Sequence, residues 1–156
     1  LLIVNDDAGL ARLVDADGVH LGRDDGDVAA TRVLIGPDRL LGVSCYDDWS
    51  LAERGLAAGA DHVAFGAAFP SSTKPGAVRA MPGLYALAKS RTRAPVVAIG
   101  GIQPDNAPSL VALGVDALAV ITALFSAQDP RAVAAAFVAL YPDNPVADNQ
   151  TPLKDA

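Results

Sequence analysis

The amino-acid sequence predicts an α/β fold, a (β/α)8 TIM-type barrel of which this chain supplies about six βα units. Three observations carry that expectation. Short apolar runs alternate with amphipathic, Ala-rich segments along the chain. The joins repeat: "DADGVHL", "GADHVAF" and "GVDALAV" each lead into a strand through a small residue and an aspartate, namely Asp17, Asp61 and Asp116. Strand starts recur roughly every 22 residues, the period of one strand plus one helix, with one longer interval that holds an extended loop. Right-handed crossovers make such a sheet parallel.

In order, strands are expected at "LLIV" (1–4), "GVHL" (18–21), "LLGVS" (40–44), "HVAFG" (62–66), "PVVAIG" (95–100) and "ALAVI" (117–121), each followed by a helical pattern. Asp47 or Asp48 is expected to cap the third helix, and Asp129 with Pro130 to open the last. Pro82 and Pro104 are likewise expected near helix starts. A doubly wound sheet satisfies the same alternation. The barrel is preferred because polar or glycine residues follow every strand, whereas a doubly wound sheet gathers them near one switch point. Leu1 already reads as strand and six units are two short of a closed barrel, so the chain is expected to begin within its domain. Residues 1–141 form the barrel region of this reading. Residues 142–156, "PDNPVADNQTPLKDA", read as a disordered tail, rich in turn formers and without periodicity.

Composition narrows the function classes. Of 156 residues, 51% are hydrophobic and only 5% aromatic, which suits a core of Ala, Val, Leu and Ile between buried parallel strands and helices. A net charge of −6 argues against a general nucleic-acid surface, although a few converging basic groups can still bind phosphate. A single cysteine rules out an intrachain disulfide and fits a reducing cytoplasm. The longest apolar run, "ALAVITALF", is too short to span a bilayer, and no basic stretch leads into an apolar one as in a signal peptide.

The residues that follow the strands are polar for so apolar a chain: Asn5-Asp6, Arg23-Asp24-Asp25, Ser44-Cys45-Tyr46, "PSSTK", Gly100-Gly101 and Ile121-Thr122. In a parallel barrel these ends share one face, where active sites are built. Asp6 and Asp25 follow consecutive strands and are able to share one Mg²⁺, which takes few protein ligands. On local sequence the helix-cap reading is the stronger one. "AIGGIQPDN" offers two glycines that let the backbone approach an anion, with Pro104 expected to start a helix behind them. The competing reading is a tight turn. In "FPSSTKPG", Ser71, Ser72 and Thr73 are hydrogen-bond donors and Lys74 adds a mobile charge, so the loop reads as a phosphate clamp. His20 and His62 read as structural, and their separation in sequence gives no support to zinc. Cys45 reads as a small strand-end residue. Trp49 and Tyr85 read as packing residues on helices.

"IVND", "ADGVHLGRDD", "GVSCY", "GADHVAFGAAFPSSTKPG", "VVAIGGI" and "ALAVITALF" resemble, in order and spacing, the thiamine-phosphate synthase (thiamine-phosphate pyrophosphorylase) family. The resemblance runs from about Leu1 to Leu140. It implies a transferase of thiamine biosynthesis that joins 4-amino-2-methyl-5-hydroxymethylpyrimidine diphosphate to a thiazole phosphate and releases pyrophosphate. It assigns Asn5, Ser44 and Lys74 to the pyrimidine diphosphate, with Lys74 and Ser44 catalytic. It assigns Asp6 and Asp25 to Mg²⁺, against the cap reading. Ser71, Ser72, Thr73, Gly101, Ile121 and Thr122 fall where the family binds thiazole phosphate. Arg23 stands where glutamine is frequent, Ser71 where threonine is, and Thr122 where serine is. The family's first two βα units, with a strand bearing glutamine, arginine and lysine, have no counterpart in this chain. The implied partners are small molecules, with no nucleic acid and no membrane, in the cytoplasm; oligomeric state stays open, a homo-oligomer included. Two alternatives remain. A thiazole tautomerase would want a histidine where Tyr46 stands, and a non-catalytic phosphate-binding truncated barrel would need no chemistry at all.

Overall fold

The structure, a computed structural model, describes residues 1–70 and 76–142. Six strands form one sheet in the order β1 (Ile3–Asn5), β2 (Gly18–Leu21), β3 (Leu40–Tyr46), β4 (His62–Phe65), β5 (Val96–Ile99) and β6 (Ala117–Ala119). Every neighbouring pair is parallel. The strand order never reverses, which separates this sheet from a doubly wound one with its switch point. It is a curled half-barrel of alternating strands and helices; closure into eight strands is not seen.

Helices α1 (Ala8–Leu13), α2 (Val28–Ile35), α3 (Trp49–Ala57), α4 (Pro82–Arg91) and α5 (Ala107–Val111) follow the first five strands; α6 (Thr122–Phe125) and α7 (Pro130–Val138) follow the last. Strand alternation sends Val19, Leu21, Leu41, Val43, Cys45, Val63, Phe65, Val96 and Ala98 to the helical side, and all are buried. Small helix residues let the two layers approach closely. Ala11, Ala52, Ala88 and Ala107 are fully buried, and a Cβ on Gly55 of α3 would meet Val43 Cγ2 at 2.7 Å. Tyr85 of α4 is buried edge-on to Phe65 and donates its hydroxyl proton to the Phe65 carbonyl, the packing role expected of it. Each fully buried Leu or Val contributes about 2 kcal/mol, so this layer supplies most of the fold's cohesion.

The repeated aspartate of the joins has a structural cause. Asp17, Asp61 and Asp116 each stand at the entry to a strand and accept the backbone N–H that opens the preceding one: Leu2 at 2.6 Å, Leu41 at 2.7 Å and Val96 at 2.7 Å. Arg32 and Lys89 then pair with Asp61 and Asp116. The repeat therefore fixes cross-strand register at the end of the sheet opposite the polar loops.

Three of the helix starts named from the sequence follow expectation, and that at Pro104 does not. Asp48 caps α3, Asp129 caps α7 with Pro130 behind it, and Pro82 opens α4. Pro104 does not start a helix. The chain turns through residues 104–106, and α5 begins at Ala107 with a length of 5 residues. The reason is Asn106, whose side-chain oxygen accepts the Gln103 N–H at 2.9 Å and holds a separate turn ahead of the helix.

β1 and β6 are the sheet edges. Large apolar side chains are exposed beside both, with Leu1, Leu2 and Leu13 at one and Ile121, Phe125 and Val138 at the other. Among the described residues no helix is long and apolar enough to cross a membrane. The expected disordered tail falls, from residue 143 onward, outside the described residues.

Candidate active site

The described candidate site residues, Asn5, Asp6, Asp25, Ser44, Gly101, Ile121 and Thr122, lie toward the C-terminal edge of the sheet or just beyond it. Asn5 ends β1. Asp6 follows with φ 70°, a left-handed conformation uncommon outside glycine, and donates its N–H to the His20 carbonyl of β2 at 2.8 Å. Asp25 lies in the turn after β2 and accepts the Gly22 N–H at 2.8 Å. Neither carboxylate is a helix cap. Asp7 caps α1 by accepting from Leu10, and Asp27 caps α2 by accepting from Ala30. The cap reading, stronger on local sequence, is thus corrected by one residue in the first loop and two in the second.

Ser44 points from β3 toward the concave side, where its hydroxyl lies 2.9 Å from His20 Nε2. Tyr46, at the end of the same strand, also has a positive φ, 53°. Its hydroxyl accepts the Arg23 N–H at 3.3 Å, and the Arg23 guanidinium lies 4.5 Å from its ring centre. Left-handed backbone at the ends of β1 and β3, at Asp6 and Tyr46, is the kind of local strain that gathers at working sites.

The second half of the site is built from the loops after β4, β5 and β6. The β4 loop is tied at its base: the Ala67 N–H donates to Val78, the Ala80 N–H to Ala67, and the Arg79 guanidinium to the Ala68 carbonyl at 2.8 Å. Ser71, Ser72, Thr73 and Lys74 lie outside the described residues. Gly100 and Gly101 follow β5 with φ 94° and 66°. A Cβ at Gly101 would stand 2.6 Å from the Phe69 carbonyl oxygen and 2.8 Å from its carbon, so this bend packs backbone to backbone against the start of the β4 loop. Asn106 secures it by donating to the Gly101 carbonyl at 3.1 Å. The glycine pair is there for a close approach rather than to ease an ordinary turn. Ile121 and Thr122 were expected to end the last strand. That strand stops at Ala119; Ile121 caps α6 and Thr122 is its first residue.

Electrostatics separate inert groups from available ones. Burial pushes the Cys45 thiol up to about 12, and its side chain faces the helical layer, so it is no nucleophile. Burial, and then the neighbouring His62, lower His20 to about 4, with Asp25 opposing; burial likewise lowers His62. Both rings are neutral near pH 7. Among the described residues no three His, Cys, Asp or Glu side chains form a metal cluster. Asp6 and Asp25, hard oxygen donors in the loops after neighbouring strands, fit Mg²⁺, which fills its shell with water and phosphate oxygens. They suit zinc less well, since its sites are built mainly on histidine and cysteine.

Sequence reasoning missed Asn106, Arg79 and the concave-side role of His20. The available signal for His20 was Gly42, a glycine in the middle of a strand, which marks a close approach.

A family profile described as thiamine monophosphate synthase matches residues 1–124. A thiamine-phosphate synthase from Azoarcus sp. (strain BH72) is 61% identical over 140 residues, covering 90% of this chain and 68% of the relative. One from Aromatoleum aromaticum is 54% identical over 139 residues, covering 89% and 67%. Among solved structures, a thiamine phosphate pyrophosphorylase from Pyrococcus furiosus superposes with a TM-score of 0.81 at 33% identity, covering 90% of this chain and 67% of that one. The chain therefore spans about two thirds of the length of these relatives.

Proposed function

The chain belongs to the thiamine monophosphate synthase family, and from that membership we propose that it is a transferase joining hydroxymethylpyrimidine diphosphate to thiazole phosphate. The observation that carries this reading is the extent of the match. Residues 1–124 include every candidate site residue, from Asn5 to Thr122.

In this reading Asn5, Ser44 and Lys74 bind the pyrimidine diphosphate. Asp6 and Asp25 would hold Mg²⁺, which when bound supplies positive charge against the diphosphate oxygens. Support comes from Asp7 and Asp27, which do the capping, and from the shared hydrogen bond between β1 and β2 at Asp6 and His20. Ser71, Ser72, Thr73, Gly101, Ile121 and Thr122 bind the thiazole phosphate. This is supported by the packing of the Gly100–Gly101 bend on the β4 loop and by a short helix, α6, after β6. Loops after the last strands and a short extra helix are the customary phosphate site of a β/α barrel.

The chemistry needs no enzyme nucleophile. The bond between the pyrimidine methylene carbon and the diphosphate oxygen breaks, and its electron pair leaves with pyrophosphate. The thiazole nitrogen donates its lone pair to that carbon. Lys74 stabilises the charge gathering on the leaving group, and the anchored thiazole phosphate brings the nitrogen within reach. The inert Cys45 agrees with this scheme.

Two further βα units would close the sheet into an eight-stranded barrel and cover the apolar side chains exposed beside β1 and β6. A cytoplasmic location accords with the lone buried cysteine.

The test supplies both substrates with Mg²⁺ and follows thiamine phosphate by mass spectrometry. Two proteins are compared: this chain alone, and this chain joined to the remaining third of the Azoarcus relative. The completed chain is expected to turn over and the shorter one to do so poorly or not at all. No product from the completed chain would refute the assignment.

A further inference from the structure

His20 lies on the concave face at the meeting point of three strands. Cross-strand register aligns Asn5, His20, Gly42 and His62 in one row. Asn5 ends β1, and Ser44 stands two residues beyond Gly42 on the same face of β3, toward the reacting edge. His20 touches the candidate site twice. Its carbonyl accepts the Asp6 N–H at 2.8 Å, and its ring Nε2 meets the Ser44 hydroxyl at 2.9 Å. One residue thus ties a candidate metal ligand on one side to a candidate substrate contact on the other.

The ring is itself held. His62 stacks on it with ring centres 5.7 Å apart and planes at 29°. Both rings lie over Gly42, where a Cβ would run into His62 Nε2 and His20 Nδ1. Gly42 is buried in mid-strand, with no positive φ and no turn to explain it. Room for two imidazoles does explain it. A serine hydroxyl alone rotates among three staggered wells and offers its proton in any of them. A neutral imidazole wedged between strands reduces that choice to one.

We propose that His20 is a positioning residue that sets the Ser44 hydroxyl for the pyrimidine diphosphate, with Gly42 and His62 forming the seat of its ring. The proposal rests on the functional reading above. It adds that the concave floor, away from the loops, tunes the reaction. Burial keeps the ring neutral near pH 7, so it meets the Ser44 hydroxyl as an uncharged hydrogen-bond partner.

Two measurements test it. In this chain, ring-nitrogen NMR should show the His20 Nε2 signal moving on Ser44→Ala while the His62 signals stay. An unmoved Nε2 would overturn the proposal. In the completed chain, His20→Ala should lower kcat by roughly 10²-fold, the scale expected for a misplaced group, with little change in the thiazole phosphate KM. His20→Gln, whose amide nitrogen reaches toward the Nε2 position, should recover most of the loss. If His20 acts through Ser44, the double variant Ser44→Ala/His20→Ala should be no slower than Ser44→Ala alone. Multiplicative losses would show that His20 acts by another route. Should His20→Ala fail to fold, Gly42→Ala keeps the imidazole and displaces it, and the same pattern with Ser44→Ala is expected. If the unmodified completed chain makes no product, the functional reading fails, and the NMR result still decides whether His20 holds Ser44.

Discussion

Gly101→Ala probes the join between the loops after β4 and β5. Two costs combine at this position. The backbone φ of 66° lies in the left-handed region, which costs an L-residue roughly 1–2 kcal/mol. The new Cβ would also stand 2.6 Å from the Phe69 carbonyl oxygen and 2.8 Å from the Phe69 carbon, which are backbone atoms unable to swing aside. Overpacking of this sort costs about 1–3 kcal/mol. The two together predict roughly 2–5 kcal/mol, taken either as lost stability or as displacement of the β4 loop carrying Ser71 to Lys74. Urea unfolding reads the first, and a thiazole phosphate saturation curve on the completed chain reads the second. Gly76→Ala is the control, because no described residue lies within 4 Å of its Cβ position. That change is expected within about 0.5 kcal/mol of the parent, with unaltered kinetics. If Gly101→Ala proved as mild as Gly76→Ala by both measures, the backbone contact between these loops would not be what holds them.

Three other outcomes are expected. Asp7→Ala should cost about 1 kcal/mol of stability through the lost α1 cap and leave the Mg²⁺ requirement alone. Asp25→Asn should do the reverse, and Mg²⁺ titrations of turnover beside thermal melts separate the two. Lys74→Ala should slow turnover by roughly 10²–10³ with little change in stability, whereas Ser71→Ala should mainly raise the thiazole phosphate requirement; saturation curves for each substrate check both. Because His20 has a native value near 4 against 6.5 for a free imidazole, the unfolded chain binds more protons between those values. Stability should therefore fall as pH drops through this window. At pH 5 the loss is about 2 kcal/mol by linkage, and about 1 kcal/mol after screening of its partly exposed ring. Urea midpoints at pH 7 and pH 5 should differ less in His20→Gln than in the parent; an equal difference would assign the effect to other groups.

The sequence by itself located the six strands, because Val, Leu, Ile and Ala in short runs answer to a force that needs no partner identity, only removal from water. It also located the cap Asp129 and narrowed the α3 cap to Asp47 or Asp48, of which Asp48 serves; such caps act within one turn of chain. Local signals failed where two similar residues compete. Asp6 and Asp7, or Asp25 and Asp27, look alike as caps, and the choice falls on whichever residue has extended backbone when the helix begins. Pro104 misled for the same reason, since the Asn106 side chain inserts a turn that a proline alone does not announce. The joins were legible as a repeat, yet their purpose was not, because Asp17, Asp61 and Asp116 reach the strand before their own. The tertiary structure alone decided what meets across strands: His20 with Ser44, both histidines over Gly42, and Gly101 against Phe69. Those contacts join residues 20 to 32 positions apart, and the parallel register that aligns them is set only when each strand finds its neighbour and each helix closes over it.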